Sequence, residues 1–334
     1  MIRKFHYLTT FGLAAVGLSV AASPVLASTI KATGCFIRTH DYINALHDGF
    51  IKPLNAKKTS LDIKYLGGVE VIPRTKQASA LKRGIVDMIH CPGAYYGGEL
   101  AAARLPGAHN RSLEEIRSNG GWELMQEAWG KGLNAHILSW THFKGQKFYV
   151  YTLFEPKLSE KTGLDLTGVK MRATGLYKAF LQAMGATPIV ISPGDVYASL
   201  ERGLVQGVPW PWGSLTQYGW EKFLKYRIEP DFYGATMLTL INRDKYNSLT
   251  KAERDQLDAR ARAYEKFADD YIVAKAITDD EKMMKAGVKT IKLTGKVRAA
   301  YLRTIYEAKW AENDSKKYNV DYKKLKAALY DPNK

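Results

Sequence analysis

The sequence predicts an α/β protein: two lobes of alternating strands and helices, completed by long helices toward the C-terminus. Three observations predict it. Strand-like and helix-like stretches alternate through the first two thirds of the chain. Glycines punctuate them, at Gly67-Gly68, Gly84, Gly168 and Gly185. From Ser248 onward the strand patterns thin out, and helical periodicity runs through much of Ala252 to Lys285 and again from Gly295 to Lys316.

Residues 1–27 are predicted to be a signal peptide. Arg3 and Lys4 precede the apolar run Leu8 to Ala22, and Val25 and Ala27 occupy the small-residue positions of a cleavage site. The run is short and rich in Thr, Ser and Gly, which disfavours a membrane anchor. About 307 of the 334 residues remain, enough for two cores, and the mature chain is expected outside the cytoplasm. Loss of the leader lowers the formal charge from +16 to +14. No Arg-rich tail, zinc-finger spacing or aromatic nucleic-acid motif accompanies that charge, which argues against nucleic-acid binding. A distributed positive field instead attracts small anions.

The elements follow in order. Thr29 to Cys35 reads as a strand, and the spacing of Tyr42, Ile43, Leu46, Phe50 and Ile51 predicts a helix with Asp41 as its cap. Leu61 to Leu66 alternates as a strand, Arg74 to Arg83 is helical, and Ile85 to Cys91 is a largely apolar strand. Trp122 to Gly132 is helical, with strands at Ala135 to Trp140 and Lys147 to Thr152. Val169 to Arg172, Thr187 to Ile191, Val205 to Val208 and Ala235 to Asn242 are strands. Leu176 to Met184 is a helix, as is Asp195 to Gly203, with Asp195 expected as a cap. Thr250 and Glu253 form a capping-box pattern that opens the long helical region, and a shorter helix covers Tyr322 to Leu329.

Cys35 and Cys91 end the first and third strands, which are neighbours in a doubly wound lobe. An oxidising compartment then permits a disulfide between them. Lys31 just ahead of Cys35 argues against a lipoprotein cysteine.

The segment Asp165 to Trp212 combines DLTGVKMR, a helix ending in GATP, the strand that follows it, a helix carrying D-V-Y-x-x-L, and the strand around Gly203 to Gly207. In that order and spacing it resembles the solute-binding subunits of tripartite ATP-independent periplasmic (TRAP) transporters, the DctP-like family. Tyr65-Leu66-Gly67-Gly68, Arg83 to Met88 and the helical tail fit the same family. The resemblance implies a two-lobed periplasmic-binding-protein fold with hinge-crossing strands and one helix spanning both lobes. It implies no enzymatic activity and no cofactor. The implied ligand is a small carboxylate and the implied partners are the small and large TRAP membrane subunits; relatives are mostly monomers. On this basis lobe I comprises 28–149 plus 235–275, and lobe II comprises 150–234 plus 276–334.

The resemblance also assigns roles. Arg172, at a strand end, is expected to grip the ligand carboxylate from a wet cleft, because its planar fork matches two carboxylate oxygens. Lys147 stands where many relatives carry a second arginine, and offers only a point charge. Trp210 replaces the polar residues of sugar-acid binders and presents a flat apolar wall; Trp212 is a weaker candidate for the same wall. Pro209 stands where some relatives have an acidic metal ligand, so no bound metal is expected. Strand ends facing the same cleft add Tyr95, Tyr96, Trp140, Arg38 and His40, and the residues after Gly67-Gly68 add Glu70. Few hydroxyls and many rings favour an aromatic or apolar monocarboxylate over a sugar acid.

Two alternatives of other classes remain at this point. Cys35, His40, His90, Cys91 and His142 fall near strand ends and could gather around zinc, although their spacing matches no metal signature. The same scaffold could also serve as a ligand-sensing module for a receptor. No G-x-S-x-G elbow, H-E-x-x-H or nucleotide fingerprint points to an enzyme.

Overall fold

The structure is a computed structural model. It describes residues 1–2, 28–56 and 60–332, with the backbone alone at 143–146. The expected leader falls, for residues 3–27, outside the described residues.

Eleven strands are present among the described residues: β1 Ser28–Gly34, β2 Leu61–Gly67, β3 Met88–Cys91, β4 Ala135–Thr152, β5 Lys157–Ser159, β6 Gly163–Asp165, β7 Lys170–Ala173, β8 Thr187–Val190, β9 Gly207–Pro211, β10 Tyr226–Asn242 and β11 Lys289–Lys292. One seven-stranded sheet runs β2-β1-β3-β10-β4-β9, with β11 added beside β10. Its first part is a parallel βαβ lobe, β1 pairing with β2 and with β3. In the second lobe β9 lies against the C-terminal half of β4, and β7 pairs in parallel with β8.

Strands β4 and β10 cross between the lobes as one antiparallel ribbon. Sequence pattern split β4 into two strands and saw only the last eight residues of β10. The ribbon loses its simple alternation in the middle, where its register shifts between Ile228 and Thr236. Such bulges bend a strand and re-aim its side chains. Gly234 sits in that region because nothing larger fits: a Cβ there would lie 2.1 Å from the His142 ring.

The helix Lys251–Lys285 opens with the Thr250–Glu253 capping box and spans both lobes. Near its first half the Tyr264 hydroxyl meets His90 Nε2 of β3 at 3.2 Å. Near its end Asp279 accepts from the backbone N–H groups of Leu215 and Thr216 at 3.1 and 3.0 Å, in the second lobe. Two sequence-derived caps differ. His40, not Asp41, caps the first helix, its Nδ1 accepting from Tyr42 N–H. Ser192 is the residue before the Pro193–Glu201 helix, and Asp195 lies exposed in its first turn.

The C-terminal region divides between the lobes. The helix Gly295–Asp314 packs on β6 and on the helix Lys178–Ala183 of the second lobe. The helix Tyr322–Leu329 instead packs on the helices Leu113–Ser118 and Gly121–Leu133 of the first lobe, where Asn119 Nδ2 donates to Ala328 O at 2.9 Å. This corrects the assignment of all of 276–334 to lobe II. Leu325 and Leu329 anchor that helix, both fully buried in the main core, and the Asn119 bond adds a polar tie.

Candidate functional site

Where the ribbon crosses, a cavity of about 50 Å³ opens between the two lobes. The first lobe contributes Phe36, Tyr42, Pro92 and Tyr95. The second contributes Thr174, Tyr177 and Trp210, and the ribbon adds Phe148 and Gly234 to Thr236. No residue lining it carries a charge. It is an aromatic box with a few hydroxyls, the usual chemistry of a small-molecule site.

Arg172 stands behind this wall. It is the third residue of β7, and its backbone is fixed by pairing with Ile189 of β8. Its guanidinium carbon lies 5.3 Å from the Trp210 ring centre and 5.8 Å from that of Tyr177, both rings being part of the cavity wall. Nε donates to Ile191 O at 2.9 Å, and Nη1 donates to the Tyr177 hydroxyl. Nη2 is buried without a hydrogen-bond partner, and no carboxylate among the described residues pairs with the guanidinium. The residue is 0% exposed, so the expected wet-cleft arginine is instead a dry one. A buried cation with an unused donor is costly unless an anion meets it. Burial holds the Tyr177 hydroxyl above its usual range, with Arg172 pulling it back. That hydroxyl accepts from Arg172 and keeps its own proton to donate.

Trp210 serves both the core and the cavity. It is 3% exposed, packs edge-on against Trp220 at 4.8 Å, and its Nε1 donates to Ser214 Oγ at 3.2 Å. Tyr95 lines the opposite wall. The Arg74 guanidinium lies 4.8 Å from the Tyr95 ring centre while Arg74 Nε donates to Cys35 O at 2.9 Å. Arg172, Trp210 and Tyr95 are thus brought together.

The remaining candidates lie elsewhere. Trp140 is fully buried, its ring edge-on to His109 at 5.3 Å and near Trp122 at 6.5 Å, so it is core and not cleft wall. Tyr96 is also buried, against Trp129. Glu70 folds back on its own loop, Oε1 accepting from Gly68 N–H at 2.6 Å. Lys147 and Trp212 meet through their backbones, Trp212 N–H donating to Lys147 O at 2.8 Å, and neither lines the cavity. Arg38 is exposed and donates to Asn44 Oδ1. Sequence reasoning missed Phe36, Tyr42, Phe148 and Tyr177. Tyr177 had a signal, standing five residues after Arg172 within the same motif; Tyr42 and Phe148 match core periodicity.

Cys35 and Cys91 are joined by a disulfide, with their Cα atoms 5.3 Å apart. It ties β1 to β3 directly behind Phe36 and Pro92 of the cavity. Both sulfurs are thereby consumed, which removes the thiolates from the zinc alternative. His90 is taken up by Thr239 Oγ1 at 3.0 Å and Tyr264, and among the described residues no group of three His, Cys, Asp or Glu is arranged for a metal.

Residues 161–316 match the bacterial extracellular solute-binding protein family 7, DctP. A monocarboxylate 2-oxoacid-binding periplasmic protein of Nostoc sp. is 25% identical over 194 residues, covering 54% of this chain and 51% of the relative. The chain thus spans about half the length of that curated relative. A TRAP transporter solute-binding protein of Bordetella bronchiseptica RB50, solved with copurified calcium and picolinate in its active site, superposes with a TM-score of 0.76 at 20% identity over 91% of this chain and 92% of its own. A Bordetella pertussis extracytoplasmic solute receptor binding pyroglutamic acid gives 0.73 at 16% over 91% and 99%. A TRAP periplasmic solute-binding protein of Desulfovibrio salexigens with bound orotic acid gives 0.74 at 14% over 90% and 94%. These likenesses establish the two-lobed fold, and no helix of the described residues is long and apolar enough to cross a membrane. The similarity to the bacterial extracellular solute-binding protein family 7, DctP, thus covers residues 161–316, and the likeness of fold to TRAP solute-binding proteins covers about nine tenths of the chain.

Proposed function

We propose that this protein is a periplasmic receptor that captures a small organic acid anion between its lobes and hands it to the membrane subunits of a TRAP transporter. It performs no chemistry on the ligand. The observation that carries the reading is Arg172: fully buried, without an acidic partner, with Nη2 unused, beside an uncharged aromatic cavity. In the apo protein this arrangement costs free energy; a ligand carboxylate meeting the fork recovers it. Tyr177 and Thr174 supply hydroxyls beside it, and Trp210, Tyr95, Phe36 and Tyr42 flank the ligand body. That wall suits a planar or apolar acid and offers too few polar groups for a sugar acid.

The relatives bind both classes: 2-oxo monocarboxylates, picolinate, pyroglutamate and orotate in some, and the sugar acids L-galactonate, galacturonate and glucuronate in others; the aromatic wall of this cavity is what favours the compact class here. The cavity of this chain presents no carboxylate to a cation, and Pro209 precedes Trp210, so the acid is bound without a metal. Ligand-sensing for a receptor would use the same cleft, and no feature of the fold favours it over delivery.

The test is a thermal-shift screen of protein purified from the periplasm. The panel holds pyruvate, 2-oxoisovalerate, benzoate, picolinate, orotate, pyroglutamate, succinate and glucuronate, with zinc in a separate well. Binding to the native state raises the melting temperature by mass action. Upshifts confined to compact planar or apolar acids support the reading. A shift from zinc alone overturns it, and glucuronate as the strongest hit overturns the account of the cavity.

A further inference from the structure

On the same cavity, a second polar system joins the lobes without touching the ligand space. Its centre is Glu312, on the helix Gly295–Asp314. One carboxylate oxygen accepts from Arg104 Nη1 at 3.1 Å, and the other from Lys309 Nζ at 3.2 Å. The two cations serve opposite walls. Arg104 belongs to the first lobe, and its Nε donates to Gly97 O at 3.0 Å, two residues beyond Tyr95. Lys309 donates to Gly175 O at 2.9 Å, between Thr174 and Tyr177 of the second lobe. Gly175 lies close under this bridge: a Cβ there would be 3.3 Å from Arg104 Nη1.

The burial of this system exceeds that of an ordinary surface pair. The Lys309 side chain is 0% exposed, and those of Arg104 and Glu312 are each 21% exposed. A dry ammonium needs its carboxylate, so Glu312 is held in place by Lys309 before Arg104 arrives. A preorganised carboxylate then receives a guanidinium from the other lobe at little entropic cost. Across the cleft a second contact exists, between Asp41 and Gln217, but it is exposed. The Arg104–Glu312 pair is the better shielded of the two.

We infer that Glu312 and Arg104 form the clasp that holds the lobes together around the bound acid. They act as positioning residues: closure sets Gly97 and Tyr95 against Gly175 and Tyr177, and with them the Tyr177–Arg172 pair that meets the carboxylate. The inference rests on the proposed receptor function. The clasp lengthens residence of the acid, because the lobes must part before it leaves.

A double-mutant cycle tests this. Arg104→Gln, Glu312→Gln and the double variant are compared with the unaltered protein by stopped-flow binding of whichever acid of the eight-member panel binds tightest. Each single variant is expected to speed dissociation roughly tenfold, and the double variant to be no worse than either single. Glu312→Gln also strands the buried Lys309, so Arg104→Gln, which leaves that pair whole, decides the matter if Glu312→Gln does not fold. Additive effects, unchanged dissociation in Arg104→Gln, or coupling seen only in ligand-free melting overturn the clasp while leaving the receptor function standing. Failure of every acid to bind the unaltered protein overturns both.

Discussion

Replacing Arg172 by methionine separates the two roles of this side chain. Methionine is of similar length and needs no hydrogen bond. In the ligand-free protein the substitution removes a buried cation that lacks an anion, and also removes the bonds to Ile191 O and the Tyr177 hydroxyl. Relief of an uncompensated buried charge is of order several kcal/mol, against roughly 1–3 kcal/mol for each lost charged hydrogen bond, so the melting temperature of the ligand-free variant should not fall. Binding should suffer heavily. Truncating one partner of a buried, hydrogen-bonded charge pair costs about 2–5 kcal/mol, which weakens affinity roughly 30- to 4,000-fold. Arg172→Lys keeps the charge without the fork and should fall between. Isothermal titration with the best acid of the panel, beside ligand-free melting curves, reads both effects. Affinity within threefold of the unaltered protein in Arg172→Met would refute the reasoning, as would loss of binding that merely tracks a lower melting temperature.

Other consequences follow from the same geometry. Tyr177→Phe removes the hydroxyl that holds Nη1 and should weaken the acid by about 1 kcal/mol, roughly fivefold by titration. Trp210→Phe shortens the wall, leaves a void beside Trp220 and loses the bond to Ser214; a loss of about 1 kcal/mol in affinity is expected, together with a lower ligand-free melting temperature. Reduction of the Cys35–Cys91 bridge, or Cys35→Ser with Cys91→Ser, opens a loop of sequence separation 56 and should cost about 4 kcal/mol by the loop-entropy relation, read as a lower midpoint in denaturant. The buried histidines predict acid sensitivity. Burial lowers His40 and His90 to about 3, His109 to about 4 and His142 to about 2, in the last case with help from His109 and Lys147. Their folded values lie below the unfolded value of about 6.5, so the stability they contribute is present above that value and drains as pH falls through and below it. Melting curves from pH 7.5 to 5 should fall steadily; a flat profile would contradict the burial of these rings.

Much of this was legible in the sequence, and what was not has physical causes. The strands β1, β2, β7 and β8, the long helix and its capping box stood out because period and punctuation agree locally. Two strand ends in neighbouring positions permitted the disulfide without deciding it, since the distance between the cysteines depends on the packing of the lobe. The crossing ribbon did not stand out as one unit, since Tyr226 to Gly234 carries a charged and aromatic mixture whose register shifts against β4. Trp140 and Trp210 are chemically alike and both follow strand patterns, yet one packs on His109 and the other faces the cavity. Only the twist of the sheet and the position of the second lobe distinguish them. Lys147 illustrates the converse: expected at the start of a strand, it lies in the middle of β4, its carbonyl accepts from Trp212 N–H just beyond β9, and its side chain is not part of the cavity wall. Tyr42 matched the apolar helical pattern because it is core on one side, and Phe36 fell between the first strand and that helix.

The most direct measurement is a crystal structure of the periplasm-purified protein with the tightest acid of the panel. The account predicts a carboxylate oxygen within hydrogen-bond reach of Arg172 Nη2, about 2.7–2.9 Å away, with the ligand body between Trp210 and Tyr95. A carboxylate bound elsewhere in the cleft, with Arg172 Nη2 still unpaired, would contradict it.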